Sequence, residues 1–338
     1  MNTIEQESIV EQKSLRLLEE ASEFGASDVH LLPREHDYLL FFRKYGQFTQ
    51  VAQLPEDLAV RMISFYKYLS SLDISEKRKP QSGAFQRTVQ DVMYSFRIST
   101  LPSAFLKESL AIRLLKQNYS LPIHSLCHFP ESAMQLCSLL NTSSGLLLIS
   151  GPTGSGKTTT LYSLLQYCAK DLSRHVISLE DPVESTQEQL LQIQVNERAG
   201  VTYSAGLKAI LRHSPEVIMI GEIRDRETAK IAIEASLSGH LVITTIHAKD
   251  TINCLYRLVD LSVSIEDMRQ MILAVVTQSL VTTNDMQYKA LFEILAEDQL
   301  QMAIHHLSNK QPYSLPHQQT LRGQLARLQE MQYEYNAY

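Results

Sequence analysis

One segment of the chain has the residue types and the spacing that bind a chain of phosphates. It runs from Gly151 to Thr158 and matches the pattern G-x-x-x-x-G-K-[ST]. Glycines let several backbone N–H groups converge on phosphate oxygens, because glycine accepts positive φ and has no Cβ. The lysine neutralises the β and γ phosphates, and the last hydroxyl coordinates Mg²⁺. The predicted site for ATP, with the Thr158 hydroxyl on Mg²⁺, comprises Gly151, Pro152, Thr153, Gly154, Ser155, Gly156, Lys157, Thr158 and Thr159.

Two acidic residues follow apolar runs in the same part of the chain. Glu222 comes shortly after Val217–Ile220, and Glu180 comes directly after Ile177–Leu179. Ligands of a parallel sheet bind where its strands end, and ATP hydrolysis needs carboxylates to hold the metal and to position water. A single acid at a strand end is more often a helix cap or a turn residue. Two such acids in one phosphate-binding domain favour a catalytic interpretation.

Two histidines, His240 and His247, flank the apolar run Leu241–Ile246. Seven residues apart with a strand between them, they are poorly placed to share a metal. A lone histidine is more often a structural residue with its hydrogen bonds satisfied. Either histidine could instead sense the γ-phosphate, and the spacing leaves both interpretations open.

The elements that must position these residues alternate between short apolar runs and amphipathic helices. This alternation predicts an α/β fold with a parallel sheet that is covered on both faces. The predicted strands are 146–150, 175–179, 217–220, 241–246 and 288–295, and the predicted helices are 131–141, a helix beginning at 157, 205–213, 228–237 and a helical stretch over 264–280. The first third is predicted to be a smaller α+β domain, with helices at 4–24 and 58–69, strands at 28–32 and 38–42, and a hairpin over 81–100. The predicted domains are therefore 1–120 and 121–338.

Composition narrows the functional class. A net charge of −6 in 338 residues argues against a general nucleic-acid binder, because phosphate backbones attract clusters of Lys and Arg. The four cysteines form no C-x-x-C pair, so we expect no zinc site and a reducing compartment. The acidic N-terminus does not resemble a signal peptide, and no apolar run approaches the roughly 18 residues of a membrane span. These features predict a cytoplasmic protein with no transmembrane segment, which would meet a membrane only through a partner.

Taken together, the motifs resemble those of the secretion ATPases of type II secretion and type IV pilus systems. The Walker A loop, the aspartate box, the Walker B segment and the histidine box of that family are similar to Gly151–Thr158, Ile177–Glu184, Leu211–Asp225 and Ser238–Ala248, respectively. The resemblance implies a RecA-like P-loop NTPase domain. It also implies that Glu222 contacts the metal and polarises water, that Glu180 is the general base, and that His240 is the nucleotide sensor, with His247 second.

The resemblance extends into the N-terminal domain, which is PAS-like in this family. The segment from Arg97 to Leu115 is similar to the family segment whose arginines reach the nucleotide, so Arg97 and Arg113 would stabilise charge on the transferred phosphoryl group. Members of the family are homo-hexamers that work on a polytopic platform protein of the inner membrane. The chain departs from the family pattern at Glu216, where Asp is usual, and at Ser279, where Arg is usual.

The tetracysteine zinc subdomain of the larger secretion ATPases is missing, so the chain most resembles the ComGA-like ATPases of competence pili. The resemblance implies an ATP hydrolase that powers assembly of a competence pilus for DNA uptake, at the inner face of the cell membrane. Pilus retraction and type II secretion by the same family are alternatives, because no motif encodes the direction of movement. A P-loop ATPase that translocates nucleic acid is the alternative from another class, and we expect no direct nucleic-acid contact.

Overall fold

The structure, a computed structural model, describes residues 2–44, 46–117, 121–152, 154–283 and 287–335. The chain divides into two compact units. The N-terminal unit contains residues 1–119 and 184–186, and the C-terminal unit contains residues 120–183 and 187–338. Residues 118–120, at the predicted domain boundary, lie outside the described residues.

The N-terminal unit is built on an antiparallel sheet with two helices. Its sheet has the order β3-β2-β1-β6-β5-β4. The elements are α1 (Asn2–Phe24), β1 (Asp28–Pro33), β2 (Asp37–Lys44), β3 (Gln47–Pro55), α2 (Glu56–Leu69), β4 (Gln81–Val89), β5 (Val92–Pro102) and β6 (Glu108–Lys116). Alternate residues of the central strands, such as Phe96 and Ile98, are buried in a core that includes residues of both helices. This alternation is expected of strands with one buried face.

The C-terminal unit contains a seven-stranded sheet of order β13-β12-β7-β11-β10-β8-β9. Its strands are β7 (Gly145–Ser150), β8 (Val176–Glu180), β9 (Leu191–Gln194), β10 (Val217–Ile220), β11 (Leu241–Ile246), β12 (Ile272–Thr282) and β13 (Tyr288–Ala296). Neighbouring strands pair in parallel except for β12 and β13, which are antiparallel. Every residue of β7, β8, β10 and β11 is buried, because the sheet has a hydrophobic core on each face.

The helices of this unit are α3 (Ile123–Leu126), α4 (Pro130–Leu139), α5 (Lys157–Lys170), α6 (Tyr203–Ile210), α7 (Arg226–Leu237), α8 (Thr251–Asp260), α9 (Ile265–Met271), α10 (Glu297–Ser308) and α11 (Leu321–Tyr335). In the part of the chain that the structure describes, no helix combines the length and the apolar character needed to cross a bilayer.

The structure corrects one predicted element. The helix expected over 264–280 is only α9, and the chain then forms strand β12 from Ile272 to Thr282. Buried strands and buried helices both contain continuous apolar residues, so the run Ile272–Val276 alone cannot distinguish them. Pairing with β7 on one side and β13 on the other makes this segment a strand.

Candidate functional site

The glycine-rich loop joins β7 to α5 at the carboxyl end of the parallel sheet. Gly151, Gly154 and Gly156 have φ values of 145°, 82° and 84°, a region that side chains with a Cβ rarely adopt. A Cβ on Gly151 would lie 2.6 Å from the main-chain oxygen of Gln278, and one on Gly156 would lie 3.0 Å from Nε2 of that glutamine. The loop therefore requires glycine at both positions for conformation and for space.

The cationic side chain of the loop lies at its mouth. Lys157 Nζ donates to the main-chain oxygens of Gly151 at 2.8 Å and Pro152 at 2.9 Å. Thr158 and Thr159 follow in the first turn of α5, where unpaired backbone N–H groups favour an anion. This part of the site has the donors that the sequence predicts for phosphate binding. Thr153, also predicted to contact nucleotide, lies outside the described residues.

Gln278 on β12 is a residue of the site that sequence reasoning missed. Its side chain is 1% exposed, and its Nε2 donates to the main-chain oxygen of Ser155 at 2.6 Å. The Oε1 of Gln278 and the Oγ of Ser155 are also buried and have no hydrogen-bond partner among the described residues. The available signal was a lone amide at the end of an apolar run, and the helix predicted over 264–280 gave no reason to place it beside the loop.

Glu222 lies at the carboxyl end of the sheet, two residues after β10. Its Oε1 lies 3.0 Å from His247 Nε2, and its Oε2 accepts a 2.7 Å hydrogen bond from Arg224 Nε. Arg224 also lies 4.0 Å from Asp181, which follows β8. The Glu222 side chain is 17% exposed, so the carboxylate remains open to solvent between two cationic or cationisable partners.

Glu180, the other predicted acid, has a different environment. Its side chain is buried, and its carboxylate accepts hydrogen bonds from Tyr162 Oη at 2.6 Å, Ser178 Oγ at 2.6 Å and Gln192 Nε2 at 3.0 Å. These three neutral donors occupy most of the acceptor positions of a carboxylate. This arrangement favours a positioning role for Glu180 over the general-base role that the resemblance implied.

Tyr203 contributes to the same end of the sheet without having been predicted. Burial, reinforced by the charge of Asp181, raises the pKa of Tyr203 to about 12. A Cβ added to Gly221 would lie 3.3 Å from the Tyr203 hydroxyl, so Tyr203 lies against the backbone that leads to Glu222. The raised pKa keeps the phenol protonated, and so a hydrogen-bond donor, in alkaline solution as well as at neutral pH.

A protein-family model described as "Type II/IV secretion system protein" matches residues 3–334. The chain belongs to this family. Membership confirms the predicted family and the prediction that the chain is an ATP hydrolase of the secretion-ATPase type.

Competence proteins and type II secretion proteins are among the similar relatives. Competence protein ComGA of Bacillus subtilis (strain 168) is 47% identical over 273 residues, which cover 80% of this chain and 76% of that protein. Competence protein ComGA of Halalkalibacterium halodurans is 39% identical and covers 87% and 90%, respectively. Type II secretion system protein E of Pseudomonas aeruginosa is 41% identical over 78% of this chain and 53% of that protein.

Solved structures confirm the predicted α/β fold. The Legionella pneumophila ATPase DotB superposes with a TM-score of 0.72 at 24% identity and covers 87% of this chain and 85% of that one. The pilus retraction motor PilT with bound ADP has a TM-score of 0.67 at 26% identity and covers 88% and 87%.

In this family member the two histidines lie at opposite ends of β11. Gly145 pairs with Leu241 and Ser150 with Ile246, so His247 follows the strand at the end where the phosphate loop begins. His240 precedes the strand, and its Nδ1 lies 3.1 Å from the main-chain oxygen of Ala235. A strand of this length separates the histidines by about 20 Å. Of the two histidines, His247 therefore lies at the same end of the sheet as the phosphate loop, and the sensor role that the resemblance implies for His240 stays a prediction.

The predicted arginines of the secretion ATPase lie on neighbouring strands of the N-terminal unit. Arg97 on β5 and Arg113 on β6 are directly paired, and Asp28 on β1 is the next residue in the same row. Arg113 Nε donates to Asp28 Oδ1 at 2.9 Å. The row places both guanidinium groups on one face of this sheet.

The departure at Glu216 lies away from the phosphate loop. Glu216 Oε2 accepts a 2.9 Å hydrogen bond from the backbone N–H of His175, at the amino end of the sheet. A shorter Asp would reach this N–H less easily, so Glu216 has a structural partner of its own.

Proposed function

We propose that this secretion ATPase hydrolyses Mg-ATP to drive assembly of a competence pilus. The observation that carries the proposal is the identity with ComGA of Bacillus subtilis over most of both chains. The site supports the chemistry, because the phosphate loop, Glu222 and His247 all belong to the carboxyl end of one sheet.

The residues of the loop fit a nucleotide phosphate chain and its metal. The positive-φ glycines keep the backbone free of Cβ atoms, and Lys157 already lies at the mouth of the loop. Among the described residues no three His, Cys, Asp or Glu side chains form a metal cluster. Mg²⁺ needs only one or two protein ligands when phosphates and water supply the rest, so Thr158 and Glu222 suffice. The ion would neutralise charge on the β and γ phosphates.

We propose that Glu222 is the acid that positions the water for ATP hydrolysis. Its partly exposed carboxylate can accept a hydrogen bond from water, whereas the buried carboxylate of Glu180 is already bonded to three donors. His247 lies within hydrogen-bond distance of Glu222 and can hold its orientation or take up the proton that water loses. Glu180 would keep the ends of β8 and β9 in place against Tyr162 of α5.

The arginines and the assembly are further parts of the proposal. Arg97 and Arg113 would stabilise negative charge on the transferred phosphoryl group, because a planar guanidinium binds phosphate oxygens in pairs.

We propose a homo-hexamer with a domain of residues 1–120 and an ATPase domain of residues 121–338. It would be cytoplasmic and would act on a polytopic platform protein at the inner face of the membrane.

Complementation tests the biological role. The gene for this chain would replace comGA in Bacillus subtilis, with Lys157→Ala as the inactive control, and DNA uptake would be scored by transformation. We expect the native sequence, but not the variant, to restore transformation. The gene would also be tested in a Pseudomonas aeruginosa strain that lacks type II protein E. If it restores protein secretion there but does not restore transformation in Bacillus subtilis, the type II alternative is favoured. ATPase turnover that rises strongly with added DNA would instead favour a nucleic-acid motor.

A further inference from the structure

A buried carboxylate far along the chain from the motifs joins two helices of the C-terminal unit. Glu293 on β13 is 5% exposed. Its Oε1 accepts hydrogen bonds from the backbone N–H of Thr251 at 3.0 Å and from the Thr251 hydroxyl at 2.8 Å. Its Oε2 accepts from the backbone N–H of Leu321 at 3.2 Å.

Both backbone donors are the first residues of their helices. Thr251 begins α8 and Leu321 begins α11, where N–H groups have no partner within the helix. A negative charge at a helix N-terminus is favourable, and Glu293 supplies one carboxylate to two such ends. Gln324 adds a second attachment of α11, because its Nε2 donates to the main-chain oxygen of Phe292 at 2.6 Å.

Helix α8 follows the candidate site directly. Only residues 248–250 separate His247 from Thr251, and His247 lies 3.0 Å from Glu222. If His247 moves when the phosphates of the bound nucleotide change, the N-terminus of α8 would therefore move with it. Thr251 is fully buried, so a movement there must also displace Glu293 or break its hydrogen bonds.

We propose that Glu293 is a positioning residue that couples the His247 loop (residues 247–250) to helix α11, so that α11 changes its environment with the nucleotide state. The inference rests on the proposed function, because it requires the site next to His247 to bind nucleotide. It adds a route by which the C-terminal helix responds to that site.

Two matched pairs of variants isolate the hydrogen bonds of Glu293. Thr251→Val removes the hydroxyl donor, and Thr251→Ser keeps it. Leu321→Pro removes the N–H donor, and Leu321→Ala keeps the N–H while losing the side chain. Proline is tolerated at the first position of a helix, and the extended backbone of Thr320 (φ −71°, ψ 154°) suits a following proline.

A fluorophore on α11 provides the readout. Gln329 is exposed, and the four native cysteines are buried, so Gln329→Cys in the full chain can be labelled selectively. Emission would be compared with ADP and with a non-hydrolysable ATP analogue, and the affinity for both nucleotides and the melting temperature would be measured in parallel.

We expect the labelled protein to show different emission with the two nucleotides. Thr251→Val and Leu321→Pro should each remove most of that difference, because each removes a buried hydrogen bond of Glu293, while nucleotide affinity stays within about threefold. Thr251→Ser and Leu321→Ala should retain the difference. Since a merely structural role would lower the melting temperature without a selective loss of the emission difference, the two readouts separate these roles.

Three results would overturn the coupling: no emission difference in a protein that binds both nucleotides, a difference that survives Thr251→Val and Leu321→Pro, or an equal loss in all four variants. If Thr251→Val does not fold, the Leu321 pair decides alone. A labelled native protein that binds neither nucleotide would contradict the proposed function, which is a distinguishable outcome.

Discussion

Replacing Gln278 by Leu tests how the phosphate loop is held in place. Leucine keeps most of the side-chain volume but removes the Nε2 donor that bonds the main-chain oxygen of Ser155 at 2.6 Å. It also removes Oε1, which is buried and has no partner among the described residues. We therefore expect little change in the stability of the fold and a clear loss of nucleotide affinity.

The size of the expected loss of nucleotide affinity follows from the main-chain carbonyl of Ser155, which has no hydrogen-bond donor in the variant. A buried polar group that loses its partner costs about 1–3 kcal/mol. In the free variant the loop can turn this carbonyl toward water, and nucleotide binding must then restore the buried geometry. If that whole cost is paid on binding, affinity falls about 5- to 150-fold, since about 1.4 kcal/mol corresponds to a factor of ten.

The assay is an equilibrium titration with a fluorescent ADP analogue, together with a thermal melt. Ser279→Ala, on the adjacent and partly exposed residue of the same strand, is the control and should bind like the native protein. The reasoning is refuted if Gln278→Leu binds ADP within twofold of native. It is also refuted if Ser279→Ala weakens binding equally, because the effect would then be general damage to β12.

Further predictions concern the catalytic residues. Glu222→Gln should retain ATP binding and lower kcat at least about 100-fold, since general acid–base groups contribute factors of that order; single-turnover hydrolysis checks this. His247→Ala should lower kcat by about tenfold or more with little change in the ADP dissociation constant, whereas His240→Ala should leave the chemical step of a single-turnover reaction near native. Arg97→Ala and Arg113→Ala should each reduce kcat far more than nucleotide affinity, and unchanged steady-state kinetics would remove both arginines from the mechanism.

The sequence predicted the central strands of the C-terminal unit because burial on both faces leaves a simple pattern. The runs Leu146–Ser150, Val217–Ile220 and Leu241–Ile246 are continuously apolar or small, and all three are strands. Parallel strands bring their carboxyl ends together, so the positions after them were the natural candidates. Glu222 was predicted in this way, whereas the phosphate loop was predicted from its glycine and lysine spacing.

The same reasoning, applied to the histidines, distinguishes their positions. His247 follows a strand and His240 precedes it, and only the carboxyl end of a parallel sheet lies beside the phosphate loop. Gln278 could not be found by this route. Its place beside Ser155 depends on β12 being a strand next to β7, and an apolar run gives no sign of which strand it will pair with.

Position along a strand does not decide which of the two acids, Glu180 or Glu222, can bind the water. Glu180 ends β8 and Glu222 follows β10, and because these strands are neighbours, strand order alone does not distinguish the two acids. Their surroundings differ because Tyr162 and Gln192 come from α5 and β9 to bury one carboxylate, whereas Arg224 and His247 leave the other partly open. A carboxylate that must receive water needs a free acceptor position and partners that can adjust when charge develops. Among these two acids only Glu222 meets both conditions, which is why we assign the chemistry to it.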